Sequence, residues 1–230
     1  MTRTVLVTGG TGTLGNVVTR RFVEDGHRVA VTRRAPEEIE GLSDLTDRLT
    51  LVEADVTDEA SVQAAVDNVA GRLGPIEVLA HLVGGWKGGE PVQEHSLETW
   101  DRMLGLNLRS AFLCSRAVLP AMQQGGWGRI VLVSARTARS GRSGKAGYAV
   151  AKAGVAVLAE TIAEENRGSD ITANVVAPSV IDTPANRNSM PGADPSTWVP
   201  PADLAASVMF LASEEAGQLR GAWLPVFGSA

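Results

Sequence analysis

The sequence predicts an α/β fold, a single doubly wound parallel sheet of Rossmann type with helices on both faces. Three observations carry that prediction. Short apolar stretches alternate with longer stretches of helical spacing from one end of the chain to the other. The strand candidates are apolar at successive rather than alternate positions, as strands covered on both faces are. Gly9, Gly12 and Gly15 lie between the first strand candidate and the first helix, where such folds turn the chain past a phosphate.

The 230 residues show no linker or composition break, so they read as one dinucleotide-binding domain, 1–230. Hydrophobic residues at 44% and charged residues at 20% fit a soluble globular protein. A net charge of -5 without a basic stripe speaks against a nucleic-acid partner. The single cysteine, Cys114, excludes an internal disulfide and fits a reducing compartment. His27, His81 and His95 lack metal-ligand spacing, so no metal site is expected. With no signal-peptide pattern and no uncharged apolar run long enough for a bilayer, a cytoplasmic protein with no membrane partner is the expectation.

Taken in order, residues 4–8 form a buried strand, and the glycine turn follows at once. A helix from Asn16 to Glu24 carries Val17, Val18 and Phe22 and stops at Gly26. Glycines between strand and helix let backbone amides approach a pyrophosphate at the positive helix end. Residues 27–32 are the second strand, with Arg33 and Arg34 at its carboxyl end and no acid there. An acid at that place bonds the ribose of NAD, whereas arginine accommodates the 2′-phosphate of NADP. NADP(H) is therefore expected over NAD(H).

A third strand spans 49–55, a helix 58–73 and a fourth strand 76–83, which Gly84-Gly85-Trp86-Lys87-Gly88-Gly89 ends. The next helix, about 97–122, holds Asn107 in its middle. An asparagine there competes for backbone bonds, so it is either exposed or recruited. A fifth strand, 129–134, leads to a loop with Arg136, Arg139, Arg142 and Lys145, which suits an anionic substrate or simply a solvated surface. The helix that follows places Tyr148 and Lys152 one turn apart on one face. A free phenol titrates near pH ~10, and a neighbouring ammonium is expected to bring it down. On its own that pair is frequent by chance. Residues 171–176 are a sixth strand closed by Pro178, and 179–201 is too long for a plain connection, which predicts a substrate loop. A helix at 202–213 and a strand at 222–227 complete the chain.

The glycine turn, Asp55, Asn107, Tyr148 with Lys152, and Pro178 followed by Thr183-Pro184 stand in a fixed order. On these residues the chain resembles the short-chain dehydrogenase/reductase family over essentially its full length. The resemblance implies Tyr148 as acid/base, Lys152 as the group that lowers its pKa and bonds the nicotinamide ribose, Asn107 as holder of a relay water, and Asp55 as an adenine contact. It implies further cofactor contacts from Gly9, Thr11, Gly12, Thr13, Leu14 and Gly15, from Arg33, Arg34 and Val56, from Val83 and Gly84, and from Pro178, Ile181 and Thr183. It also implies a homodimer or homotetramer built through the 97–122 and 148–166 helices.

Three departures stand out. The turn reads T-G-x-x-G-x-x-G, and His81-Leu82-Val83-Gly84 replaces the family's Asn-Asn-Ala-Gly. The family serine thirteen residues before the tyrosine is Ala135 here, with Ser134 one residue early. A one-residue shift on a strand reverses the face, so Ser134 is a catalytic candidate only if the strand end carries a bulge or turns there. Gly84-Gly85-Trp86, Asp182-Thr183-Pro184, Asn186-Arg187 and Trp198 resemble quinonoid dihydropteridine reductase, which also has alanine at the serine position. Arg33-Arg34 and Asn107 differ from that subgroup. Trp86, Ala135, Arg136 and Asn186 are the implied substrate contacts. The expected function is an NADPH-dependent oxidoreductase that transfers hydride to a carbonyl or a conjugated imine or quinonoid small molecule. The alternatives are dihydropteridine reductase proper and a catalytically silent NADP-binding sensor.

Overall fold

The computed structural model describes residues 1–35 and 39–229. Its strands are β1 (Thr4–Thr8), β2 (Arg28–Arg33), β3 (Leu49–Glu53), β4 (Val78–His81), β5 (Trp127–Val133), β6 (Asp170–Pro178) and β7 (Trp223–Val226). The helices between them are α1 (Thr13–Glu24), α2 (Glu59–Leu73), α3 (Leu97–Leu104), α4 (Ser110–Gly125), α5 (Ala146–Glu165), α6 (Pro184–Ser189) and α7 (Pro201–Ala212). Among the described residues the strands form one parallel sheet in the order β3-β2-β1-β4-β5-β6-β7. The order reverses between β1 and β4, and the crevice at such a point, beyond the carboxyl ends of the strands, is where open α/β sheets take ligands.

Alternation explains why the strands read as continuously apolar. Leu6, Leu79, Ile130 and Ala173 face the layer of α2, α4 and α5, where they meet Val66, Val118 and Val155. Their neighbours Val5, Val7, Val78 and Val131 face α1 and α7, meeting Val18, Phe22, Leu204 and Val208. Both faces are thus dry, and each strand residue has a helix to pack against.

Two places depart from the sequence reading. The helix expected over 97–122 is interrupted: α3 ends at Leu104, a π-helical turn runs Gly105–Arg109, and α4 resumes at Ser110. Residues Glu40–Arg48 form 3-10 turns between β2 and β3, and Leu42 there is fully buried against the α1 face. α5 is long and apolar enough by composition to cross a membrane. In the fold it lies on β5 and β6 and buries Lys152, Val155 and Ile162, which is the position of a core helix.

The amino-terminal end of the sheet is closed by charge. Arg129 is fully buried, donates from Nε to the Ser213 carbonyl at 2.9 Å and from Nη1 to the Gly128 and Asp170 carbonyls at 3.0 and 2.8 Å, and pairs with Asp170 Oδ1 at 2.9 Å. Trp127 lies between two guanidiniums, Arg3 at 3.8 Å and Arg129 at 4.4 Å from the ring centre.

Candidate active site

The crevice at the carboxyl ends of β1, β2 and β3 is a cleft of about 980 Å³. Gly9, at φ 71°, turns the chain out of β1, and a side chain at Gly15 would collide with the Gly9 carbonyl, so turn and helix pack backbone to backbone. Gly12 is different. It is exposed toward the cleft, and a methyl there would meet only the Gly9 carbonyl at 3.5 Å. Gly12 is also the N-cap of α1, which carries no side-chain cap, so the positive end of the helix opens on the cleft. An uncapped helix start under a bare backbone, with Arg33, Arg34 and Asp55 farther along the wall, fits a dinucleotide with an extra phosphate.

Of the expected cofactor contacts, Gly9, Thr11, Gly12, Thr13, Arg33, Arg34, Asp55, Val56, Val83 and Gly84 line this cleft. Asn16, Thr32, Gly41, Thr57 and Leu106 also line it, and sequence reasoning missed them. Asp55 Oδ1 accepts from the Thr57 amide at 2.9 Å and its hydroxyl at 2.7 Å, and this holds the carboxyl below the usual carboxylate range. Other expected contacts lie outside that lining. Leu14, in the first turn of α1, is partly buried against the core, Gly15 is enclosed by the turn, and Pro178 is buried at the end of β6. Ile181 bridges to Val199, and the Thr183 side chain caps α6 by accepting from the Asn186 amide at 3.1 Å.

Next to the cleft, the first turns of α5, the π-helical turn and the β4 loop meet. Lys152 is buried and donates from Nζ to the Val133 carbonyl at 2.8 Å, with its ammonium 5.9 Å from the Tyr148 ring centre. Asn107 is buried inside the π-helical turn. Its Oδ1 accepts from the Gly85 amide at 3.1 Å, while Nδ2 donates to the carbonyls of Gly85 and Met103 at 3.0 and 3.1 Å. A side chain at Gly84 would lie 2.9 Å from both Asn107 Oδ1 and Lys152 Nζ, so the bare backbone there is required. The asparagine that competed for helical bonds is recruited, and the π turn is where the competition was resolved.

Burial dominates the titration of this group. The Tyr148 phenol is pushed up to about 12 and the Lys152 ammonium down to about 8, each by desolvation. The expected lowering of the phenol is absent because the ammonium is directed at the Val133 carbonyl and desolvation disfavours the phenolate. Tyr148 therefore keeps its proton firmly in this state, which suits a proton donor.

Ser134 is not a second donor. Ala135 is extended at φ -159° and ψ 156°, so the backbone past the end of β5 keeps the strand's alternation. Ser134 shares the face of Ile130 and Leu132, is buried, and donates to the Lys152 carbonyl at 2.8 Å. It supports the backbone of α5 and leaves Ala135 as the residue at the family's serine position. Arg136 stacks on Phe227 at 5.0 Å and Arg139 on Trp223 at 4.3 Å, tying the basic loop to the chain's last strand. Asn186 Nδ2 donates to the Ile181 carbonyl at 2.7 Å, bracing the 179–201 loop. Trp86 is half exposed, with the Lys145 ammonium 5.3 Å from its ring, and Gly89 donates to the Gly144 carbonyl at 2.9 Å. These contacts close the β4 loop onto the loop before α5.

His81 was overlooked as a participant. It is buried, 2.8 Å from Thr8 Oγ1 through Nδ1 and 3.1 Å from Ser110 Oγ through Nε2. Ser110 donates its hydroxyl to the Leu106 carbonyl at 2.6 Å, so it accepts from His81 Nε2–H, and Nδ1 accepts from Thr8. Desolvation pushes the ring down to about 3, keeping it neutral. The substituted motif thus ties the glycine turn to the π-helical turn. The only signal in the sequence was the departure from the family's asparagine.

The sequence profile of the family described as short chain dehydrogenase matches residues 3–194. The 3-oxoacyl-[acyl-carrier-protein] reductase MabA of Mycobacterium tuberculosis is 35% identical, covering 99% of this chain and 92% of its own. The 2-(R)-hydroxypropyl-CoM dehydrogenase of Xanthobacter autotrophicus is 31% identical, covering 100% and 98%. Among solved structures, ElxO with NADP bound superposes with a TM-score of 0.93 at 25% identity, over 99% of this chain and 98% of ElxO. A variant of actinorhodin polyketide ketoreductase with NADPH gives 0.91 at 27%, over 99% and 96%. The chain belongs to the short-chain dehydrogenase/reductase family, and it is an NAD(P)-dependent oxidoreductase.

Proposed function

We propose that this protein is an NADPH-dependent reductase of small carbonyl or conjugated imine and quinonoid compounds, with Tyr148 as proton donor. The observation that carries the reading is the grouping of a half-buried Tyr148 with the buried Lys152 and Asn107, beside a cleft walled by Arg33 and Arg34. The NADP and NADPH seen in ElxO and the polyketide ketoreductase support the same cofactor here, as do the two arginines. Bound in the cleft, the cofactor supplies the hydride. Arg33 and Arg34 hold its 2′-phosphate by charge-assisted bonds. Tyr148 gives its proton to the atom on which negative charge develops, and the Lys152 ammonium, 5.9 Å from the ring centre, is the cation beside the phenolate that remains. Asn107 fixes the β4 loop against that site, and 179–201 serves as the substrate loop of a chain acting as one unit. A silent sensor has no need of all three groups.

With Ala135 at the serine position, one donor to a developing alkoxide is missing, a loss that typically lowers rate by about 10²–10³-fold. A conjugated acceptor spreads that charge and needs the donor less. In NADPH-consumption assays, quinonoid dihydropteridine or an ortho-quinone should outrun simple ketones and 3-oxoacyl thioesters. Ala135→Ser should raise ketone reduction by about tenfold or more and quinonoid reduction less. Fast reduction of plain ketones, with Ala135→Ser silent, would overturn the substrate class. We also propose a homodimer or homotetramer through α4 and α5, where Phe112, Val150 and Val157 remain exposed. A single-chain mass by light scattering would refute it.

A further inference from the structure

The segment Glu40–Arg48 is fastened to α1 by contacts that the reaction does not use. Arg20 reaches Asp44 with both ends of its fork, Nη1 to Oδ2 at 2.7 Å and Nη2 to Oδ1 at 2.6 Å. The same Nη2 donates to the Gly41 carbonyl at 2.7 Å, and Nε donates to Asn16 Oδ1 at 2.9 Å. Asn16 Nδ2 in turn donates to the Gly41 carbonyl, and any side chain at Gly41 would collide with Asn16. Leu42 anchors the segment from below in the α1 core, and Arg48 reaches the Val23 carbonyl at 2.9 Å.

Gly41 and Asn16 line the nucleotide cleft alongside Arg33 and Arg34, while Arg20 and Asp44 stand behind them. Both members of the pair are partly exposed, at 34% and 59% of the side chain. A pair so exposed adds little to global stability. Its geometry is nevertheless specific. A planar fork satisfying a carboxylate, a carbonyl and an amide oxygen together has no lysine equivalent.

We infer that Arg20 and Asp44 are positioning residues for cofactor selectivity, a clasp that holds Gly41 and Asn16 as the outer wall of the 2′-phosphate subsite. The inference rests on the NADP(H) reading above. With the clasp closed, the phosphate meets Arg33 and Arg34 in a preformed, partly dehydrated corner. With it open, the wall must be ordered on binding, and that ordering is subtracted from affinity. A cofactor without the phosphate has no use for the corner.

Charge alone predicts the opposite sign for one variant, which makes the test sharp. Removing an acid near a phosphate should tighten NADPH if only charge matters, whereas Asp44→Ala should weaken it if the clasp matters. Isothermal titration of the cofactor-free full chain with NADPH and with NADH separates the cases. Asp44→Ala and Arg20→Met should each weaken NADPH by roughly fivefold to twentyfold. NADH should stay within about twofold, and the urea midpoint should be unchanged. Tighter NADPH in Asp44→Ala, equal loss for both cofactors, or no loss would each overturn the clasp. Arg33→Ala with Arg34→Ala is the control. Should it be silent while the wild type prefers NADH, the NADP(H) reading itself fails, and the clasp falls with it.

Discussion

Two buried cations stand at opposite ends of this sheet, and they are treated differently. At the amino-terminal end, Arg129 has three carbonyls, a carboxylate and an indole face around it. At the carboxyl end, Lys152 is equally buried and has one carbonyl as hydrogen-bond partner, with its charge disfavoured enough to bring it down to about 8. The first arrangement satisfies a charge and closes a structure. The second, among the described residues, leaves an ammonium with unused donors beside a phenol and an open cleft. Such a group destabilises the fold in this state, which is the pattern expected of the active site proposed above.

The comparison can be broken from either end. The largest effect should come from Tyr148→Phe, which removes only a hydroxyl. Loss of a general acid typically lowers rate by about 10²–10⁴-fold, so NADPH-dependent turnover should fall into that range. The unfolding midpoint should barely move, because the hydroxyl makes no fold-supporting hydrogen bond among the described residues. Residual turnover above a tenth of wild type would remove Tyr148 from the reaction.

At the other end the pattern should invert. Arg129→Met leaves three carbonyls without their donor and Asp170 without its cation, and should destabilise by about 3–5 kcal/mol in urea titrations. Turnover per folded molecule should hold, since no atom of Arg129 approaches the cleft. An unchanged midpoint would mean that Arg129 is not the fastening described here.

The two ends were not equally legible in the sequence. The β1–turn–α1 unit, Arg33 and Arg34, and the Tyr148–Lys152 pair follow from local pattern, because turn chemistry and helical spacing are local rules. Asn107 gave a usable signal as a misfit in a helix, but the π turn that accommodates it depends on Gly85, distant in sequence. Ser134 was resolved by alternation once Ala135 proved extended. The phenol shifted opposite to expectation because spacing encodes who is near whom and says nothing of how dry the place is. Gly41 escaped because the segment Glu40–Arg48 has neither strand nor α-helical pattern and owes its position to tertiary contacts, and Asn16, though in a legible helix, meets that segment only in the fold. His81 was visible only as a broken motif.

The most direct measurement of the central claim is Lys152→Met, read for stability and turnover in one preparation. A lysine lowered from 10.5 to about 8 carries a penalty of about 3 kcal/mol while charged in the fold, and the bond to Val133 returns about 1 kcal/mol. The penalty is full below pH 8, where folded and unfolded chains both bind the proton. It is relieved between about 8 and 10.5, where only the unfolded chain still does. Lys152→Met should therefore be more stable than wild type by about 2 kcal/mol at pH 7, lose that advantage as pH approaches 10.5, and show no NADPH-dependent reduction. A variant that is less stable at pH 7, or that still turns over, would contradict the assignment of this end of the sheet as the active site.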